Sequence, residues 1–454
     1  MEESRKKLSW SEAPFAELLR LSWPITVSTI SYSVMTLVDT LLVGHLGAAQ
    51  LAGVGLGGTV AFALLCFAIG LLRGAKTVVA QAVGAGQREE VGAYLGAALA
   101  CAGAIGAITV GAGQLTARLL PLISATPDAG DFARTYLSIR SLGAPLALAY
   151  VALREVRYGE SEARLPMVAT VIANLVNIAL ACTFVYALHW GVAGAAWATV
   201  IAHSVEAGVL ALAQKRRGWG VSRMRARHLR ALWRVGMPTA IQFTLEVGSF
   251  AMLAAMVAAM SEVDMAAHQV ALQVVHFSFL PAFAVAEAAS VLTGQAVGAD
   301  RDALVLTVAR QAMAIVAGYT GACTLVLALG APLIVSGFTA DPALLAAAVR
   351  LLHVAAVFNM FDGANIVARA TLRGTGDVRY PAVVGVVTSW ALTPPLTWWL
   401  GYRLHLRAFG GWLGLCAEII LGALILWWRV ERRGWASAAR SSRSELQLPA
   451  RVTA

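Results

Sequence analysis

The sequence predicts an all-α polytopic membrane protein with twelve transmembrane helices in two six-helix lobes related by a parallel internal repeat. Three observations predict it. Charged residues are 13% of the 454 and hydrophobic residues 59%, whereas a soluble chain carries about 25% charged residues. Twelve apolar runs of roughly 20 residues or more, each enough to cross about 30 Å of hydrocarbon, lie near 21–44, 50–72, 91–118, 133–156, 165–188, 191–213, 236–260, 265–292, 305–336, 343–368, 380–402 and 409–430. Finally, VVAQAVGAGQ around Gln81 and VLTGQAVGAD around Gln295 read almost alike, about 214 residues apart, which marks two homologous bundles in one chain.

The repeat continues along the chain. SWP, ending at Pro24 in the first run, aligns with GMP, ending at Pro238 in the seventh. LAGVGL from Leu51 and MAAHQV from Met265 sit in the second and eighth. RLP at 164–166 and RYP at 379–381 open the fifth helix of each half, and GVAGAA from Gly191 and GWLGLC from Gly411 open the sixth. Six helices per half is an even number, so the halves keep the same orientation about an axis near the membrane normal. The boundaries expected are an N-lobe at 1–214, a basic cytoplasmic linker at 215–234, a C-lobe at 235–430 and a polar, disordered tail at 431–454. The runs 265–292 and 305–336 are long enough to tilt or bend.

The net charge of +10 is topological and is no nucleic-acid signature. With both termini inside, the cytoplasmic ends and loops hold 29 of the 35 Lys and Arg, including Arg369, Arg373 and Arg379; Arg118, Arg134, Arg140, Arg350, Arg403 and Arg407 are left outside or near it. This is the positive-inside bias, and an odd helix number would scramble it. The eight cations of 215–234 place that segment on the anionic inner leaflet, with topology determination as their task. Cys66, Cys101, Cys182, Cys323 and Cys416 have no metal or redox spacing and read as small packing residues. The opening MEESRKKLSWSEAP is polar and the first apolar run is long enough to remain a helix, so no cleaved leader is expected.

Charge inside hydrocarbon costs at least about 2.5–3.5 kcal/mol for Asp at a helix centre, so each embedded acid needs a reason. Asp39 lies fifteen residues beyond Pro24, roughly 22 Å along the helix axis. Glu246 is near mid-membrane in the seventh helix, and Asp362 is about two turns before Arg369 in the tenth. Without a same-helix cation one turn away, Asp39 and Glu246 face water, take a proton or bind a cation; the alternative is a carboxyl satisfied by neighbouring helices. Glu206 and Glu287 are about two turns from the cytoplasmic end, where snorkelling satisfies them, while Glu418 is deeper and has no evident task. His203 and His268 titrate near neutrality when exposed but read as packing histidines. Pro24, Pro145, Pro238, Pro281, Pro332 and Pro394–Pro395 each remove a backbone hydrogen bond and permit a bend. Pro24 is the candidate hinge for the helix that carries Asp39. No nucleotide loop, HExxH or DDxxD pair is present, so an enzyme is not expected and pumping must draw on an ion gradient.

The runs LSWPITVSTISYSVMTLVDTLLVGHLGAAQLAGVGL, AQAVGAG, GMPTAIQFTLEVGSF, AAHQVAL and FDGANIVARATLRGTGDVRYP, in that order over residues 15–430, resemble the multidrug and toxic compound extrusion (MATE) family, in its bacterial branch typified by the norfloxacin exporters. The resemblance implies a V-shaped cleft between the lobes and export of amphipathic, often cationic compounds in exchange for Na⁺ or H⁺, with no cofactor. It carries a coupling role onto Asp39, with Asn177 and Thr199 beside it, and onto Glu246 and Asp362, the pair expected to take any Na⁺. Two positions depart from the pattern: Ala181 stands where the N-lobe site usually has Asp, and Phe358 where Tyr is often found one turn before Asp362. Hard cations want oxygen ligands, so the thinner oxygen set shifts the Asp39 site towards a proton; a carboxyl taken out of water prefers its neutral form.

The expected protein is thus a secondary active efflux transporter of the inner (plasma) membrane, multi-pass and monomeric, with both termini cytoplasmic. Its partners are amphipathic or cationic small molecules and the lipid bilayer, and not nucleic acid. If ion and drug compete or favour opposite-facing states, each lowers the other's affinity by the same factor. The alternatives are a lipid-linked saccharide flippase of the same superfamily, which would line its cavity with Arg and Lys, and a non-transporting membrane protein.

Overall fold

The computed structural model describes residues 8–124 and 126–447, and every regular element among them is helical. In chain order these are α1 (Pro14–Gly44), α2 (Ala48–Gly84), α3 (Val91–Ile123), α4 (Pro127–Leu142), α5 (Ala144–Gly159), α6 (Arg164–Cys182), α7 (Gly191–Arg217), α8 (Ala226–Ala258), α9 (Glu262–Gly298), α10 (Asp302–Ser336), α11 (Pro342–Gly374), α12 (Arg379–Leu396), α13 (Arg407–Glu431) and α14 (Ala436–Gln447).

Helices occupy all twelve expected runs among the described residues. Ten helices are long and apolar enough to cross a membrane unaided, and α4 with α5 makes another span, bent by 49°. The bend follows from chemistry at the joint: Gly143 links the two helices and Pro145, in the first turn of α5, has no N–H to continue the α4 ladder. The remaining run holds α12 with a π-helical turn at Thr397–Arg403, which is not apolar enough to count among those spans. Helix starts obey local rules. Thr126, Ser261 and Asp341 cap α4, α9 and α11 through side-chain oxygens that accept from Ala129, Asp264 and Ala343 amides at 3.3, 3.1 and 3.1 Å, satisfying donors a helix start leaves open.

The repeat is written into the backbone as well as the sequence. Each half's fifth span ends in a π turn, Thr183–Ala187 after α6 and Thr397–Arg403 after α12. Positive φ recurs at matched places: Gly86 and Asp300, Ser161 and Gly376, His189 and His405, Gly191 and Arg407. Even the polar pins correspond. Tyr186 in the first π turn donates to the Leu42 carbonyl at 2.8 Å and Tyr402 in the second to the Met256 carbonyl at 2.6 Å, each tying down the first helix of its half.

The described chain packs as two compact units. An amino unit comprises Val27–Val79 and Gln87–Ala240, and a carboxy unit the residues up to Thr26, Ala80–Gly86 and those from Ile241 onward. The transitions fall inside α1 and α8, two residues beyond the matched prolines Pro24 and Pro238. Missing one hydrogen bond there, each helix has its softest point where it leaves one unit for the other.

In the amino unit the first half of α8 lies backbone to backbone on α2. A Cβ on Gly70 would stand 2.6 Å from the Ala240 Cα, and one on Gly74 2.8 Å from the Gly236 nitrogen, the small-residue contact that lets membrane helices approach closely. In the carboxy unit the two copies of the repeated Gln-Ala-Val-Gly run meet each other. A Cβ on Gly84 would overlap the Gln295 carbonyl, and one on Gly298 the Gln81 carbonyl. Overpacking of this kind costs about 1–3 kcal/mol. Gly298→Ala is therefore expected to lower the thermal unfolding temperature of detergent-solubilised protein, whereas Gly321→Ala, with open space around it, leaves it unchanged.

Several expectations are revised by the fold. The segment 215–234 is mostly helix: α7 runs on to Arg217 and α8 starts at Ala226, because a helix that has left hydrocarbon has no reason to stop at its basic residues. The tail beyond Glu431 is ordered as far as Gln447. Trp435 and Ala439 are fully buried, and Arg443 bridges Asp300 at 3.2 Å and Asp302 at 2.7 Å, so α14 is docked on the carboxy unit. Residues 448–454 of that tail lie outside the described residues. Trp10, near the other terminus, donates to Gln295 at 2.8 Å. His268 is buried and accepts from Trp412 Nε1 at 3.0 Å while its Nε2 has no partner, so it is only half satisfied as a packing histidine, whereas His203 pairs with Glu206 at 3.0 Å. Among the cysteines, Cys66, Cys101 and Cys416 are buried, and none of the five forms a disulfide.

Candidate functional site

Each unit holds a cluster built around embedded acids. In the amino unit α1 supplies Asp39, α6 Asn177, α7 Thr199, and α4 Tyr136 and Arg140. Asn177 and Thr199 are buried and joined by a 3.4 Å hydrogen bond from Asn177 Nδ2. Both side chains interact with the Asp39 carboxyl, the Arg140 guanidinium acts on its charge, and the Tyr136 hydroxyl shares Thr199. The three residues singled out in this half are therefore brought together. One feature of the group bears on chemistry. Asp39 Oδ1 and Asn177 Oδ1 are both buried without a hydrogen-bond partner, and so is Arg140 Nε. Buried acceptors are ordinarily paired, so an orphaned carboxylate oxygen and an orphaned amide oxygen in one cluster suit a proton or a hard cation. Asn174, one turn before Asn177, fixes the arrangement by donating to Ser31 of α1 at 2.6 Å. Ala181, one turn after it, is buried and adds no oxygen.

In the carboxy unit α8 supplies Glu246, and α11 Asp362 and Arg369. Arg369 Nη1 donates to both Glu246 oxygens, at 2.7 and 2.9 Å. Gln242, one turn before Glu246, adds a second donor at 3.0 Å. Gly385 of α12 leaves the space they occupy: a Cβ there would overlap Glu246 Oε1 and stand 2.8 Å from Gln242 Nε2. Ser249 and Trp390 hold α8 on α12 around this point through 3.0 Å bonds to the Ser389 and Leu245 carbonyls. Asp362 interacts electrostatically with both Arg369 and Glu246. Glu418, in α13, is buried and bonded to Thr393, which accounts for an acid the sequence left without a task.

Sequence reasoning missed the two arginines. Arg369 was counted among the cytoplasmic-end cations and Arg140 outside, yet Arg369 bonds Glu246 and Arg140 acts on the Asp39 charge. The signal for Arg369 was legible, since it follows Asp362 by seven residues and so shares its helix face. Nothing in the sequence gave Arg140 away, because its acid is on another helix. The two clusters are not copies of each other. At the repeat offset Asp39 falls on Leu253 and Glu246 on Tyr32, so the acids have been placed separately in each half. Among the described residues no group of three or more His, Cys, Asp or Glu could hold a metal ion.

Twelve apolar helices in a parallel repeat, with charge set inside them, define an integral membrane transporter. The MatE family model matches residues 24–183 and 238–399, one stretch in each half, and the chain belongs to that family. A Deinococcus radiodurans protein named "Probable multidrug resistance protein NorM" is 31% identical over 437 residues, covering 91% of this chain and 94% of that one. A namesake from Pseudomonas syringae is 30% identical over 438 residues, with the same coverages. Among solved structures, a MOP superfamily transporter from Pyrococcus furiosus, described as having a binding pocket of reversed polarity, superposes with a TM-score of 0.86 at 23% identity, covering 94% of this chain and 97% of that one. An outward-facing multidrug resistance MATE family transporter gives 0.86 at 22% with the same coverages. At those identities the structures speak for the fold alone.

Proposed function

We propose that the chain is a secondary active exporter of amphipathic and cationic compounds, driven by antiport of Na⁺ or H⁺ through alternating access of its two repeat halves. The observation that carries this reading is the Asp39 cluster, where two buried oxygens, Asp39 Oδ1 and Asn177 Oδ1, have no donor. A proton or cation supplies what they lack, and a cationic substrate satisfies the same negative charge, so the two are linked and each weakens the other. The names of the NorM relatives support multidrug export. The bias of Lys and Arg supports an inner-membrane protein with cytoplasmic termini. A lipid-linked saccharide flippase is disfavoured, because Arg140 and Arg369 each answer an acid instead of lining a basic cavity.

The experiment is transport of a cationic dye in proteoliposomes, driven separately by a Na⁺ gradient and by a pH gradient. Uphill dye movement with at least one gradient is expected; movement that only equilibrates the dye overturns the antiport reading. Pro24 is the proposed hinge of α1, and the matched Pro238 lies at the corresponding transition in α8. Pro24→Ala restores a backbone hydrogen bond and stiffens α1, so dye efflux is expected to fall while the protein still reaches the membrane. Wild-type rates in Pro24→Ala remove the hinge.

A further inference from the structure

We propose that Arg369 is a built-in countercharge standing where a metal cation would bind at Glu246, so that the carboxy unit of this chain takes no sodium. The inference rests on the antiport reading only for its consequence, which is that sodium cannot be the driving ion in this half.

A hard cation needs several oxygen ligands and no competing positive charge among them. Glu246 offers two oxygens, and both already accept from Arg369 Nη1, at 2.7 and 2.9 Å. Oε1 also accepts from Gln242 Nε2 at 3.0 Å. The backbone of α12 at Gly385 closes in where even a Cβ would overlap Oε1. The neighbouring positions do not make up the loss. Phe358, one turn before Asp362 and buried, has no oxygen to give, and Glu418 is engaged by Thr393. Asp362 alone remains, and it interacts with the Arg369 charge as well.

The guanidinium suits the exchange physically. It is planar, permanently charged and more weakly hydrated than an ammonium, which makes it the cation best fitted to a carboxylate away from bulk water. Side-chain exposure of 14% for Arg369 and 18% for Glu246 places the pair mostly out of solvent, where salt screens little. A sodium ion entering here would have to displace a tethered cation that never leaves the protein. Movement of Arg369 away from Glu246, and not release of a metal ion, is then the charge change this half undergoes during transport.

The test is the thermal unfolding of purified full-length protein in detergent, in NaCl against N-methylglucamine chloride at equal ionic strength. The wild type is expected to show no sodium-specific rise that depends on Glu246. Arg369→Gln frees the carboxylate and is expected to show a saturable, sodium-specific rise, lost again in the Glu246→Gln/Arg369→Gln double variant. Arg369→Lys keeps a charge and is expected to behave like the wild type. A sodium-specific rise in the wild type that Glu246→Gln abolishes overturns the proposal, as does a folded Arg369→Gln that ignores sodium. Should Arg369→Gln fail to fold, the wild type and Arg369→Lys decide: indifference to sodium in both supports the proposal, and a Glu246-dependent rise in the wild type overturns it. Failure of gradient-driven dye transport would leave these binding results untouched, so the two readings fail separately.

Discussion

Asp39→Asn is expected to reduce gradient-driven dye efflux at least about tenfold, within the 5–150-fold span of ordinary site-to-site coupling. The substitution keeps the side chain's size and removes its charge. An amide can neither take up a proton nor balance a cation, and Asn177 and Thr199 remain beside it as neutral partners. The fold is not expected to suffer. Asp39 Oδ1 is buried without a donor, so neutralising the carboxyl removes a burial cost that Asn177, Thr199 and the Arg140 charge offset only in part. Membrane yield should match the wild type and the unfolding temperature should hold or rise. This pairing of lost transport with retained stability separates a coupling residue from a structural one, and transport at wild-type rates in a well-folded Asp39→Asn protein would remove the residue from the mechanism.

Glu246→Gln is expected to act in a different way, because Glu246 is hydrogen-bonded directly to its charged partner. Removing one member of a mostly buried ion pair strands the other, at a cost of about 3 kcal/mol, the low end of the range for such losses. The amide also offers only one acceptor oxygen to the two donors, Gln242 Nε2 and Arg369 Nη1, that now converge on the carboxylate. The unfolding temperature should therefore drop along with transport. Glu246→Gln/Arg369→Gln removes both charges and is expected to recover most of the lost stability, since neutral replacement of a buried pair is often tolerated. Transport should stay lost in the double variant. A double variant no more stable than the single one contradicts the pairing as the source of the effect.

The contrast shows how far the sequence could be read. Hydropathy marked the twelve runs that the structure fills with helices, ten of them long and apolar enough to cross unaided, because the length that crosses hydrocarbon is a one-dimensional property. The repeat was legible from short motifs, and the structure extends it to π turns and left-handed residues that no motif announces. The acids stood out because charge in an apolar run is costly wherever it sits. Their partners did not. Arg140 acts on the Asp39 charge and Arg369 bonds Glu246 from other helices, and only the seven-residue spacing of Arg369 from Asp362 left a trace of either. Arg369 was further disguised by its place near the end of an apolar run, where a cation is ordinarily taken for a topology signal. The α14 helix was hidden for the opposite reason. Its composition is that of a disordered tail, and only burial of Trp435 and the Arg443 bridge to Asp300 and Asp302 explain why it is ordered.

The central claim is that a cation or proton and the exported compound are linked through Asp39, and equilibrium binding tests it without any gradient. The measurement is the Kd of a cationic dye for purified protein across a range of pH and of Na⁺ concentration, in the wild type and in Asp39→Asn. The account predicts that affinity in the wild type falls as protons or Na⁺ rise, and that the dependence flattens in Asp39→Asn. An undiminished dependence in Asp39→Asn, or none in the wild type, would contradict it.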